Sequence, residues 1–284
     1  MKTDSYYTEE LSSAESGLAE QMLPPTVFWR ILEEIPKSLT WILMTVSIVS
    51  PIVLWWIVAN SGWVEPLFLP TPARVWDALV HLTENQSILK DIFASLLRVS
   101  GGFLLAAVIS IPLGILMGTF ASIRALTEPI IGIIRYMPAP AFIPLLILYF
   151  GIGELPKIML IFIGTLFFNT LMIMDAVKFI PKELIETAYT LGGKRKQILA
   201  KVILPYVLPN IIDACRVNIA ASWNLVIVSE LVAATQGLGY RIMQAQKFLR
   251  TDEIFVSLIA IGLIGFAIDL IFRSLLRLTC PWVE

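Results

Sequence analysis

Three side chains that could act on a solute in an apolar medium recur at seven-residue steps in this chain: Arg216, Trp223 and Glu230. At ~100° per residue a seven-residue step drifts by only about 20°, so on a helix all three share one face. Arg216 and Glu230 would stand ~21 Å apart along the axis. Such a face offers a small anion the charge of Arg216 and hydrogen-bond donors from Ser222, Trp223 and Asn224. Ionisable groups inside apolar segments are costly and therefore candidates for function. The competing account is that Arg216 and Glu230 snorkel or pair with neighbouring helices and hold the structure together. Arg135, three residues ahead of Pro138, is a candidate gate element or a helix-end anchor. Asp269 and Arg273 stand four apart and suit an internal ion pair, while Asn169 suits a hydrogen bond to an adjoining helix.

Other chemistries have little to work with. His81 is the single histidine, and Cys215 and Cys280 lack metal-ligand spacing, so they are read as free thiols and no metal or catalytic constellation is expected. Gly193-Lys194 is not a nucleotide loop. A P-loop needs a glycine five residues before its second glycine and Ser or Thr after the lysine; here those positions hold Ala188 and Arg195. The net charge of −1 gives no hint of a nucleic-acid partner.

The elements that must position these residues are membrane spans. Apolar residues make up 57% of the 284 and charged residues only 15%, against roughly a quarter charged in soluble domains. A spanning helix needs ~20 mainly apolar residues. Six such segments are present: 39–60, the stretch between Arg98 and Arg124, 128–152 with Arg135 near one end, 158–174, 206–234 and 254–273. The fold class is thus all-α and membrane-integral. Residues 1–25 are polar and acidic and expected to be a disordered tail. Residues 26–38 place Phe28, Ile31, Leu32 and Ile35 on one face, as in an interfacial amphipathic helix or a lead-in to the span at 39–60. An outer segment follows at 61–95, then a core of five spans at 96–280. With the N-terminus inside, 14 of the 21 Lys and Arg fall on the cytoplasmic side, and the C-terminus returns there too.

Between the fourth and fifth of these spans, at 176–205, lies a polar island. Pro181 suits a helix start and Glu183 its positive dipole end. Leu184, Ala188 and Leu191 fall at i, i+4, i+7, an apolar stripe able to enter a partner's groove. Gly192-Gly193 permits a sharp turn, and Lys194-Arg195-Lys196 follows. A basic inside loop that merely sets topology would look similar.

Ordered motifs narrow the choice. They are Leu67-Phe68-Leu69-Pro70-x-Pro72, Ser95-Leu96-x-Arg98, Ile111-Pro112-x-Gly114-x-x-x-Gly118, Arg135-x-x-Pro138 and Phe150-Gly151-Ile152-Gly153. Then come Glu186-x-Ala188 with Gly192 and Leu204-Pro205, Ser229-Glu230-Leu231, Gly237-Leu238-Gly239 and a closing Pro281-Trp282. In this order they resemble the permease subunits of ABC importers in the taurine, aliphatic sulfonate, nitrate and bicarbonate branch. The family's Glu-Ala-Ala stands here as Glu186-Thr187-Ala188, and its Ile before x-Leu-Pro as Val202.

The resemblance implies the type I importer permease fold with a cytoplasmic coupling helix in a bacterial inner membrane. It implies coupling to ATPases through Glu183, Leu184, Glu186, Ala188, Leu191, Gly192, Leu204 and Pro205. Implied partners are two ABC ATPase subunits that hold ATP and Mg, a second permease copy, and an external solute-binding protein. This chain would bind no cofactor and be no enzyme. An ion-coupled secondary transporter is the alternative, although no convincing inverted repeat supports it.

Overall fold

In a computed structural model that describes residues 35–283, all regular structure is helical. The chain divides into two units, Met1–Trp63 and Val64–Glu284. The expected tail, and most of the amphipathic segment, lie outside the described residues. In the first unit, α1 (Lys37–Asn60) follows Pro36, whose φ of −54° and ψ of 135° turn the chain into the helix.

The second unit contains α2 (Pro72–Glu84), α3 (Ser87–Thr119), α4 (Ala121–Ile134), α5 (Ile143–Phe150) and α6 (Glu154–Lys178). Then come α7 (Lys182–Thr190), α8 (Arg195–Ile198), α9 (Leu204–Ala233), α10 (Leu238–Lys247) and α11 (Thr251–Thr279). A π-helical turn at Leu199–Ile203 joins α8 to α9. Among the described residues, five helices are long and apolar enough to cross a membrane; a sixth span is counted if the bent pair α4–α5 makes one.

Two differences from the sequence reading have clear physical causes. The 61–95 and 96–280 boundary falls inside α3, which starts at Ser87. Asp91 and Arg98 interrupt the apolar run, yet both are buried and partnered by other helices, so the helix continues through them. The segment 128–152 is not a straight span: its two halves meet at 83°. Pro138 and Pro140 follow the end of α4 at Ile134. Neither ring can donate a backbone hydrogen bond, and each disfavours helical backbone in the residue before it.

The core is built on α3 and α6, which run parallel in constant register. Gly102 lies against Ile161, Gly114 against Ile173 and Gly118 against Val177, each pair 59 residues apart. A Cβ on Gly114 would stand 2.7 Å from Thr170 O, and one on Gly102 2.7 Å from Ile158 O. These glycines therefore set how closely the two backbones approach. Gly101 differs: its nearest neighbours would be ordinary contacts at 3.8 Å. In the same register Asn169 Nδ2 donates to Ser110 Oγ (2.6 Å), and Asn218 Nδ2 of the antiparallel α9 donates to Asn169 Oδ1 (3.1 Å). The interhelical role expected of Asn169 is thus filled on two sides. Arg273 Nε lies 2.6 Å from Asp269 Oδ2, the expected pair.

Candidate functional site

The end of the bundle that carries α10 holds most of the buried charge. On α3, Asp91, Ser95 and Arg98 fall at i, i+4, i+7 and all face inward. Arg98 Nη1 donates to Glu230 Oε1 on α9 (2.6 Å) and to the Gln236 carbonyl (2.7 Å). Its Nη2 donates to Glu154 Oε1 at 2.9 Å, and its Nε also contacts Glu154. Lys157 Nζ closes this side on Glu154 at 3.0 Å. Glu230 is 0% exposed and also accepts from Ser95 Oγ at 2.7 Å.

The same acceptors cap α10, whose first N–H groups have no partner within the helix. Gly237 N donates to Asp91 Oδ1 (2.8 Å), Leu238 N to Ser95 Oγ (3.0 Å) and Gly239 N to Glu230 Oε2 (2.8 Å). Negative charge at a helix N-terminus is favourable, so Asp91 and Glu230 hold α10 electrostatically as well. Gly237 has φ +125°, and a Cβ there would run into the Glu230 carboxylate. A Cβ on Gly239 would stand 2.7 Å from Ile227 O. Both glycines are required by this close approach. Arg241 of α10 then returns to Asp91 Oδ2 (2.5 Å) and to Glu253 of α11 (3.7 Å). One network joins α3, α6, α9, α10 and α11. With each of these charges paired, the arrangement suits holding helices rather than reacting with a solute.

The residues proposed for a solute face separate accordingly. Glu230 is committed to this network, and Trp223 is buried at 5% exposure, its Nε1 without a hydrogen-bond partner among the described residues. Ser222 is buried, sharing a hydrogen bond with Thr165 Oγ1 (2.9 Å) and donating to Asn218 O. The seven-residue stripe thus faces mainly into its own bundle, because α9 packs that side against α3 and α6. Asn224 is exposed, beside exposed Ala220 and Ala221. Arg216 lies toward the other end, near Asp213 (3.3 Å) and Asp269 (3.6 Å). Arg135 is exposed at the α4–α5 bend, where its guanidinium lies 4.8 Å from the Tyr136 ring centroid.

At the opposite end, α7 projects between α6 and α8. Pro181 sits just before the helix rather than in it, and α7 starts at Lys182. Gly192, with φ +79°, ends the helix: Gly192 N donates to Tyr189 O (2.9 Å) and Gly193 N to Ala188 O (3.0 Å). This is a Schellman closure, in which glycine avoids the cost of left-handed backbone. The expected stripe Leu184–Ala188–Leu191 divides. Ala188 turns with Ile185 onto the apolar cluster of Ile180, Ile198 and Ile203, because α7 must bury one side to stay docked. Leu184, Tyr189 and Leu191 remain exposed, Leu191 at 83%. Glu183 and Glu186 are exposed too, as are Leu204 and Pro205 at the start of α9.

Sequence reasoning missed Asp91, Glu154, Lys157 and Arg241 as functional neighbours of Glu230. One available signal was the i, i+4, i+7 spacing of Asp91, Ser95 and Arg98 on an otherwise apolar helix.

Residues 110–284 match the family described as binding-protein-dependent transport system inner membrane component. The chain is 35% identical over 234 residues to the taurine transport system permease protein TauC of Escherichia coli K12, covering 81% of this chain and 85% of that one. It is 32% identical over 231 residues to the putative aliphatic sulfonates transport permease protein SsuC of Bacillus subtilis 168, covering 81% and 84%. Among solved structures, an inward-facing form of the MetNI methionine ABC transporter superposes with a TM-score of 0.58 at 24% identity, covering 68% of this chain and 97% of that one.

Proposed function

Because the chain belongs to the family of binding-protein-dependent transport system inner membrane components, we propose that it forms the path by which an ATP-driven importer carries a small anion across a bacterial inner membrane. The solute is of the taurine and sulfonate, nitrate or bicarbonate class, with sulfonates favoured by two of the relatives. Two copies of the chain pair, two ATPase subunits bearing ATP and Mg bind at the α7 end, and an external binding protein delivers the solute at the α10 end. The α7 end is cytoplasmic in this reading, consistent with Lys182, Lys194, Arg195, Lys196 and Lys201 gathered there.

The observation that carries the reading is the α7 hairpin. A nine-residue helix at the ends of two spans keeps Leu184, Tyr189 and Leu191 exposed, while Ile185 and Ala188 fix its inner side to the bundle. A rigidly mounted apolar knob of this kind can transmit the movement of a partner's groove into α6 and α9. Glu183, Glu186, Leu204 and Pro205 border it, and Gly192 sets its angle. The solute path runs along the Ala220, Ala221 and Asn224 side of α9, with Arg216 toward the cytoplasmic end and Arg135 at the α4–α5 bend as gate. Ser222, Trp223 and Glu230 support that wall from behind.

The test is uptake into proteoliposomes containing the chain, its ATPase partners and the matching binding protein. Labelled taurine or an alkanesulfonate should accumulate only with ATP inside the compartment facing α7. Uptake that ignores ATP and follows an imposed ion gradient instead would identify a secondary transporter.

A further inference from the structure

A second feature lies at the α7 end. Between α3, α4, α6, α7 and α8 lies a cleft of about 700 Å³. Its rim carries Arg124, Lys178, Lys182 and Arg195 against a single carboxylate, Glu186. Lys178 contacts Asp175 at 3.4 Å; Arg124, Lys182 and Arg195 have no ion pair among the described residues. The deeper wall is apolar, formed by Val177, Ile180 and Ile198. Thr119 also lines it, and its Oγ1 is buried without a hydrogen-bond partner among the described residues.

The cleft is amphipathic along one direction: cations at the mouth and hydrocarbon behind. It opens where the spans α3 and α6 end, at Thr119 and Lys178, and apolar spans end where the hydrocarbon core gives way to headgroups. An acidic peptide would match the rim but leave the apolar wall unexplained, and a free phosphate likewise. Basic pockets between spans at the cytoplasmic face are suited to anionic headgroups.

We propose that this cleft holds the phosphate of an anionic phospholipid, with its first acyl carbons against the apolar wall. The lipid then touches α7 and α8 directly, so membrane composition bears on how firmly the coupling hairpin is mounted. The site needs only a bilayer, so it stands or falls separately from the transport reading.

The test uses the full chain in phosphatidylcholine nanodiscs with a trace of spin-labelled phosphatidylglycerol. A saturable immobilised fraction, displaced by unlabelled phosphatidylglycerol and not by millimolar inorganic phosphate, is expected. Each Lys or Arg near an anionic surface contributes about fivefold, so R124Q with K182Q should weaken retention roughly twenty-fivefold, while R124K with K182R retains it. Equal retention in the glutamine pair overturns the proposal. Displacement by inorganic phosphate would assign the cleft to a soluble anion, and displacement by added ATPase subunits would assign it to that protein interface; either result also overturns it.

Discussion

Removing Arg98 should expose how much of the α10 end depends on one guanidinium. In R98M, Glu230 stays 0% exposed and loses its cationic partner, keeping only Ser95 and the Gly239 N–H. Glu154 suffers less, because its side chain is 59% exposed and Lys157 remains at 3.0 Å. Breaking a buried ion pair from one side costs about 3–5 kcal/mol, and nearly all of that cost should fall on Glu230. If so, R98M in an E230Q background should cost only about 1–2 kcal/mol, since the neutral amide carries no uncompensated charge. The coupling energy of the cycle is then about 2–3 kcal/mol. The assay is denaturant unfolding of the four variants in detergent micelles. Additivity of the two substitutions within about 0.5 kcal/mol would refute the claim that Arg98 and Glu230 act as a pair.

Three further outcomes follow from the packing. G114L should destabilise the bundle by about 1–3 kcal/mol or more, because its Cβ meets Thr170 O at 2.7 Å, whereas G101A should be nearly silent; thermal unfolding of the two side by side checks this. N169L removes the bonds to Ser110 and Asn218 and should cost about 0.6–1.7 kcal/mol, read by the same unfolding assay. G193A forces a Cβ to 2.7 Å from Ala188 O and should disturb the α7 closure, lowering ATPase activity of the reconstituted complex while the five long helices stay intact by circular dichroism.

Long-range pairing was the part of the structure the sequence concealed. Spans such as Lys37–Asn60 and Thr251–Thr279 are visible as long, mainly apolar runs because lipid tolerates little else. The amide of Asn169 is legible too, since polar residues inside spans have few other uses; among the small residues at 101, 102, 114 and 118 the sequence does not separate Gly101, which makes only ordinary contacts, from the three that set the helix approach. The bend at Pro138 is not, because hydropathy sums over a break without registering it. Nor is the network around Glu230: Arg98 lies 132 residues away and Asp91 meets Gly237 across 146. Charge inside an apolar run reads as an interruption until its partner is known, so the sequence reading starts this span after Arg98 rather than at Ser87. At α7, spacing alone suggested that Ala188 shares the outward stripe. The bundle decides otherwise, since Ile185 and Ala188 are the pair packed, partly buried, against its apolar cluster.

The central claim is that α7 receives force from an ATPase. It is tested most directly by assembling the chain with its ATPase partners and comparing wild type with E186R plus L191D. Both side chains are exposed, so the membrane domain should fold unchanged. The account predicts that ATPase co-purification and coupled hydrolysis fall to background. Unaltered binding and activity in the double variant would contradict it.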